Sequence, residues 1–212
     1  MTNQGHNCPL CLSEKSKHYS TDQNREYYLC LNCQLIFVPR DQLVSFEAEE
    51  RRYSFHENDD GYDSYLANIG NQINNELTPV QKGLDYGCGK TKILELKLHS
   101  LGHIVSSYDF YFHPDKSALD EKYDFIILSE VIEHLRDLSK ELVNIKNLLN
   151  SNGKLFIKTK LHPKDVSKFE KWFYKRDITH IQFFSDEVFG WLQQNFDFKV
   201  YKNLGNDLYL LS

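Results

Sequence analysis

Leu84-Asp85-Tyr86-Gly87-Cys88-Gly89-Lys90-Thr91 is the stretch whose reading decides the fold. A short strand, 84–86, runs into a glycine-rich turn, and a helical pattern through Ile93, Leu94, Leu96 and Leu98 follows. Glycines are needed where backbone must approach a ligand, and the helix N-terminus behind them favours anionic groups. Twenty residues after Gly89, Asp109 ends the next predicted strand, Ile104-Val105-Ser106-Ser107-Tyr108. A carboxylate at that place accepts hydrogen bonds from both ribose hydroxyls of an adenosine cofactor. Together the two signals are much more specific than the turn alone. A rival reading is the P-loop, because Gly89-Lys90-Thr91 copies its end. Its first glycine, Gly83, falls one residue early, and Asp85 inside the turn would repel phosphates.

Outward from this turn, strand and helix alternate. Tyr123-Asp124-Phe125-Ile126-Ile127-Leu128 is apolar enough for a strand buried on both faces. A helix through Leu138, Leu142, Ile145 and Leu149 stops at Asn152-Gly153, and a strand over 154–159 follows. A helix over 185–195 has Ser185 as its N-cap. Strands over 198–201 and 207–211 flank Gly205-Asn206 as a hairpin. Upstream, Tyr62, Tyr65, Leu66, Ile69, Ile73 and Leu77 recur at helical steps until Thr78-Pro79 stops them, while 43–60 is charged and irregular. The fold class is therefore α/β, an open sheet with a terminal antiparallel hairpin.

The N-terminal region reads differently. Cys8-Pro9-Leu10-Cys11 and Cys30-Leu31-Asn32-Cys33 have the paired-knuckle spacing of a structural metal site. Four thiolates from two tight turns close a tetrahedron around Zn2+ at about 2.3 Å, leaving no open position for catalysis. Residues 6–40 resemble a zinc ribbon, with short strands at 27–29 and 35–38, too small to bury a core without its metal. Disulfides are the alternative, and they need an oxidising compartment. The polar residues 1–7 lack the apolar core of a signal peptide, so the cytoplasm is the expected location. No apolar run approaches the ~20 residues of a membrane span. The net charge of −5 disfavours a large nucleic-acid footprint, though not a local basic patch. The predicted organisation is a ribbon over 1–42, a helical lid or linker over 43–80, and a cofactor-binding domain over 81–212.

From Asp85 and the turn to Asp109, and on through Ser129-Glu130-Val131-Ile132-Glu133-His134, the chain resembles the class I S-adenosylmethionine-dependent methyltransferases. The resemblance covers roughly residues 83–212, and with the ribbon it extends to a group of bacterial zinc-ribbon methyltransferases of unassigned substrate. It implies a Rossmann-like sheet and S-adenosylmethionine as cofactor. Asp85, Gly87, Cys88 and Gly89 would hold its methionyl part and Asp109 its ribose, with Phe110, Ser129 and Glu130 beside them. Two departures stand out. The family's third glycine is Thr91, and only fourteen residues separate Asp109 from Asp124, so the third-strand region and adenine pocket are shortened.

Glu130, Glu133 and His134 share one face if helical, and they follow a strand's C-terminal end, where ligands bind in open sheets. His180 and Asp177 lie in a later loop. His134, His180, Glu133 and Asp177 are the candidate catalytic residues. Glu130, Glu133, His134 and His180 are also a candidate second metal site for Mg2+ or another divalent ion, resembling metal-assisted O-methyltransferases. The plain alternative is that the two carboxylates are surface charges.

Two aromatic clusters, Tyr53 to Asn58 and Trp172 to Asp177, are expected to form a lid and to line the acceptor pocket; ordinary core and capping roles are the alternative. Methyl transfer to an oxygen or nitrogen of a small molecule or peptide is the leading reading. An RNA acceptor is the alternative, favoured by the ribbon and the basic stretch 158–176, although Lys164, Lys168, Lys171 and Lys175 fall at the steps of a solvated helix face. A non-catalytic docking protein with a degenerate cofactor fold is the other.

Overall fold

A computed structural model describes residues 6–54 and 60–212. Two knuckles open it, and they are built alike. Leu12 and Gln34, each directly after a second cysteine, adopt the left-handed conformation at φ 58° and 64°. Their amides return to the carbonyls of Cys8 and Cys30 at 3.0 and 3.1 Å. Strands β1 (Ser16–Thr21), β2 (Glu26–Cys30) and β3 (Ile36–Phe37) connect and follow the knuckles. The four sulfurs, all free thiols, converge, with Cys8 Sγ 3.5 Å from Cys33 Sγ and Cys11 Sγ 3.4 Å from Cys30 Sγ.

Helices α1 (Phe46–Ser54) and α2 (Asp60–Asn75) follow. Then come β4 (Lys82–Tyr86), α3 (Ile93–Ser100), β5 (Ile104–Tyr108), β6 (Tyr123–Ser129), α4 (Leu138–Leu148) and β7 (Leu149–Lys158). The chain closes with α5 (Val166–Lys171), β8 (Gln182–Phe183), α6 (Asp186–Asn195), β9 (Tyr201–Gly205) and β10 (Leu208–Leu211). The main sheet has the order β5-β4-β6-β7-β10-β9. Its first four strands are parallel, β10 runs against them, and β9, antiparallel to β10, returns to their direction.

β6 shows why this sheet forms. Phe125 and Ile127 face one layer, containing Ile69 and Ile73 of α2 and Leu94 and Leu98 of α3. Ile126 and Leu128 face the other, with Leu142 of α4 and Val188 and Leu192 of α6. The short span after Asp109 holds no strand. It makes one bridge, Asp109 to His113, and a single 3-10 turn, Lys116–Leu119, packed on the outer edge of β5. No helix among the described residues is long and apolar enough to cross a membrane.

The ribbon does not stand apart. β8, from the far end of the sequence, pairs antiparallel with β3, Ile36 opposite Phe183, so the four-stranded sheet β1-β2-β3-β8 crosses the predicted 1–42 boundary. Cys8, Cys30, Leu35 and Phe37 join the apolar cluster that contains Ile126 and Leu128.

Other expectations change. The charged segment after residue 43 is partly helical: Ser45 Oγ accepts the Ala48 amide at 3.2 Å, and acids in the first turn and arginines in the last complement the helix dipole. Asn152-Gly153 does not end a helix, because β7 already starts at Leu149 and carries those residues through a register shift against β6. α5 stops at Lys171, and Lys175 lies buried beyond it instead of on a solvated face. Glu130, Glu133 and His134 do not share a helix: Glu130 is left-handed at φ 54°, and Ile132–His134 is a short 3-10 turn. Residues 55–58 of the expected lid lie outside the described residues.

Because the ribbon's sheet and core continue into the α/β part, Cys30→Ser is expected to lower the melting temperature of the whole chain by about 10 °C or more. Calorimetry should show one transition. A separate early ribbon transition, with the main one unmoved, would contradict the shared sheet.

Candidate active site

The turn after β4 folds onto the end of β5. The amides of Gly87 and Cys88 donate to the Tyr108 carbonyl at 2.7 and 3.2 Å, and that of Gly89 donates to Asp109 Oδ2 at 3.0 Å. Gly87 (φ +80°) is required twice over, because a Cβ there would sit 2.4 Å from Val131 Cγ2. Gly89 (φ +65°) faces open space. Where the family has a third glycine the chain has Thr91, and its neighbour Lys92 takes the left-handed conformation at φ 52° instead. These three amides are committed to β5 and Asp109, and Lys90 Nζ is spent on the Ser54 carbonyl at 2.7 Å. No phosphate cradle of the P-loop kind is formed by them.

Asp109 is anchored by backbone. Its Oδ1 accepts the amides of Tyr111 and Phe112 at 2.9 and 3.0 Å, which fixes the carboxylate at the cavity wall. Asp85 is buried beneath the turn. Burial, reinforced by the Glu95 and Asp109 carboxylates, pushes its carboxyl up to about 7.

One cavity of about 1780 Å3 collects all the predicted cofactor residues, Asp85, Gly87, Cys88, Gly89, Asp109, Phe110, Ser129 and Glu130. His134, Asp177 and His180 line it as well, and Phe46, Glu49 and Tyr53 of α1 add a further wall. It exceeds the roughly 300–1,000 Å3 of a single-ligand pocket, so it has room for two. Ser129 Oγ is buried without a hydrogen-bond partner among the described residues. Phe110 stays 61% exposed and meets Phe46 at 6.3 Å between ring centroids.

At the other end His134 and His180 stand 4.7 Å apart, ring to ring. His134 Nδ1 donates to the Thr179 carbonyl at 2.9 Å, and His180 Nδ1 donates to the Tyr174 carbonyl at 2.7 Å. Only a protonated nitrogen can bond a carbonyl, so each neutral ring presents Nε2 as a lone pair. Burial and then His180 push His134 down to about 3, and burial lowers His180 as well. Both are neutral at ordinary pH.

Behind them lies a buried polar chain. Lys158 Nζ pairs with Glu130 Oε1 at 2.7 Å. The Tyr174 hydroxyl donates to Glu130 Oε2 at 2.8 Å and also touches Glu133 Oε1. One hydroxyl hydrogen cannot serve two carboxylates, so one carboxyl must itself donate to the phenol oxygen. Burial and then the Glu130 charge raise Glu133 well above the usual range, which makes it that donor. Burial also works against an ionised Glu130, but Lys158 outweighs it and holds that carboxyl down. Glu133 Oε2 has no hydrogen-bond partner among the described residues.

Glu133, His134 and His180 each bring one ligand atom within 4.8 Å of the others, whereas Glu130 stands outside this set, drawn to Lys158. Asp177 is drawn away too. Its Oδ1 accepts the Thr179 amide and hydroxyl at 3.0 and 2.7 Å, and its Oδ2 pairs with Arg52 of α1 at 2.8 Å. Burial would raise Asp177, but the Thr179 bonds outweigh it and hold the carboxyl at about 2. It therefore caps a turn and latches α1 instead of carrying protons. Glu49 and Arg136 hold the same helix at 2.5 Å, and the Tyr53 ring meets His134 edge-on at 5.4 Å.

Lys158 and Arg136 line the cavity as well, and the sequence marks Lys158 only as a lysine closing an apolar strand. Four cations of the basic stretch are paired with acids: Lys158 with Glu130, Lys160 with Asp207, Lys164 with Glu187 and Lys175 with Asp22.

The methyltransferase-domain family matches residues 49–203. Among solved structures, a 1,6-didemethyltoxoflavin-N1-methyltransferase from Burkholderia thailandensis, holding 1,6-didemethyltoxoflavin and S-adenosylhomocysteine, is 15% identical at a TM-score of 0.51. That match covers 85% of this chain and 95% of the other. A protein from Pyrococcus horikoshii OT3 is 14% identical at 0.50, over 76% and 96% of the two chains. Coclaurine N-methyltransferase, bound to N-methylheliamine and S-adenosylhomocysteine, is 16% identical at 0.45, over 66% of this chain and 52% of its own, so the chain spans about half its length. No curated protein matches the sequence. The family match spans more than half of the chain: the protein belongs to the methyltransferase-domain family.

Proposed function

We propose that the chain transfers a methyl group from S-adenosylmethionine to an oxygen or nitrogen of a small-molecule acceptor held against His134 and His180. The observation that carries this reading is the single large cavity joining the Asp109 turn to the histidine pair. The Burkholderia neighbour supports room for two ligands, holding a small acceptor and S-adenosylhomocysteine together. One of the two grounds for an RNA acceptor is weaker, because four of the seven cations of the basic stretch pair with acids.

S-adenosylmethionine, when bound, would supply an electrophilic methyl on its sulfonium. Asp109 would hold the ribose hydroxyls with its amide-anchored carboxylate, and Asp85 the methionyl amine. The acceptor's lone pair would take the methyl carbon, the carbon–sulfur electron pair staying on sulfur. The acceptor's proton passes to a histidine Nε2, which the Nδ1 bonds keep open. Most of the rate comes from holding the nucleophile in line.

Two metals fit the side chains. The four cysteine sulfurs lie within 4.8 Å of one another, close to the edge of about 3.8 Å that a tetrahedral Zn–S site requires. Cys8, Cys11, Cys30 and Cys33 would hold structural Zn2+. Glu133, His134 and His180 offer one carboxylate and two imidazoles of fixed tautomer, a set suited to Zn2+, Fe2+ or Mn2+ more than to Mg2+, which prefers oxygen. An ion there would occupy both Nε2 atoms, and would replace their role as proton acceptors by lowering the pKa of an acceptor hydroxyl.

S-adenosylhomocysteine affinity should depend on pH through Asp85. Its carboxyl titrates near 7 in the free chain, and the ligand's ammonium favours the carboxylate, so binding expels a proton below that pH. Calorimetric Kd should weaken by about tenfold per unit below pH 7 and level off above it. Asp85→Asn should flatten this profile, and a flat wild-type profile would remove Asp85 from the site. In a screen of hydroxylated and amino aromatic acceptors, His134→Ala or His180→Ala should reduce kcat/KM by about 10²-fold or more, with Kd for S-adenosylhomocysteine unchanged. Equilibrium dialysis with Mn2+ should lose one bound equivalent in His134→Ala. Equal Mn2+ binding in both proteins would eliminate the second metal.

A further inference from the structure

Residues 174–180 are irregular backbone carrying His180, and their carbonyls are shared out in a definite way. The Tyr174 carbonyl takes His180 Nδ1 and the Thr179 carbonyl takes His134 Nδ1. The interleaved carbonyls go to one side chain, Arg25, which lies in the turn between β1 and β2 of the ribbon and is 6% exposed. Its Nη1 donates to the carbonyls of Ile178 and His180, each at 2.9 Å. Its Nη2 donates to Lys175 at 2.6 Å and to Asp177 at 3.3 Å. Its turn is in turn fixed: Asp22 Oδ1 accepts the amides of Asn24 and Arg25, and Asp22 Oδ2 accepts Lys175 Nζ at 2.7 Å and the Tyr27 hydroxyl at 2.6 Å.

We propose that Arg25 is the positioning residue for the His134–His180 pair, through which the ribbon sets the tautomer and separation of both rings. A guanidinium suits this task because its donors fan out in a plane and remain charged when buried, whereas an ammonium is a point donor that cannot span four carbonyls. Without it, the carbonyls of Lys175, Ile178 and His180 would lose their named donor, that of Asp177 would keep only the His180 amide, and the loop would move to find water. The two carbonyls that hold the histidines would move with it. The glycine turn and Asp109 belong to β4 and β5 and make no bond to Arg25, so the cofactor end is independent. The consequence for turnover rests on the methyltransferase reading; the positioning of the rings does not.

The full-length Arg25→Ala and Arg25→Lys variants, loaded with one equivalent of Zn2+ for the four cysteines and no other ion, test this by ring 15N shifts, S-adenosylhomocysteine calorimetry and turnover. In the wild type both histidines should show the Nδ1–H tautomer. Arg25→Ala should average the tautomers of both rings, leave Kd within about threefold, and lower kcat by about 10²-fold. Arg25→Lys should recover part of kcat, and millimolar guanidinium should restore Arg25→Ala where sodium chloride does not. Unchanged ring tautomers in Arg25→Ala would overturn the proposal. So would loss of S-adenosylhomocysteine affinity together with the histidine signals, since the defect would then be global. If the wild type methylates no acceptor, the methyltransferase reading fails and the ring shifts alone decide on Arg25.

Discussion

Buried irregular backbone is the constraint on which this molecule depends. A helix or strand satisfies its own amides and carbonyls, but a loop taken out of water must find a partner for each. Residues 174–181 are such a loop at Tyr174, Lys175, Thr179 and Ile181, which are buried, and almost every carbonyl in it is claimed by a named donor. Arg25 takes four, His134 and His180 take one each, and the Ile181 carbonyl accepts the Val38 amide at 2.9 Å. Both flanks of the arrangement belong to the ribbon. From the α/β part outside the segment only His134 is a named donor to its carbonyls, and the ribbon alone has no fourth strand. Each half completes the other.

The polar chain behind the histidines follows from the same low-dielectric setting. Lys158 and Glu130 each lose hydration by entering it, and their attraction offsets that cost only because the pair is close and Tyr174 satisfies the second oxygen. Glu130 also takes a left-handed backbone, an arrangement that costs about 1–3 kcal/mol and persists where surrounding structure over-determines it. Once Glu130 is held ionised, Glu133 a few ångströms away through Tyr174 cannot be, so one carboxyl is charged and its neighbour carries a hydrogen. The two glutamates look equivalent in the sequence. Their environments make them different chemical groups.

What was legible beforehand follows a simple division. β6, the glycine turn, the acidic residue ending β5, the N-cap Ser185 and the paired cysteines are short-range patterns, set by periodicity or by local backbone demand. The missing third strand was legible too, because fourteen residues cannot hold a helix and a strand. α1 was hidden because its apolar face is thin and its stability comes from Glu49–Arg136 and Arg52–Asp177, partners far away in sequence. β8 is two residues long and is a strand only because β3 lies beside it. Lys175 was misread because helical spacing was extended past Trp172, where the backbone turns extended at ψ 126° and the side chain goes inward to Asp22.

The two ends of the cavity are thus held by different physics. At the cofactor end, Asp109 and the turn are fixed by strand termini and backbone amides, within a sheet buried on both faces. Substitution of side chains nearby changes little of that frame. At the acceptor end, the histidines are placed by a loop, a guanidinium, a helix tied down by ion pairs, and a phenol between two carboxyls. Here the geometry is set by individual side chains. The ribbon lies at this end of the cavity, because its turn residues Asp22 and Arg25 support the loop that carries His180.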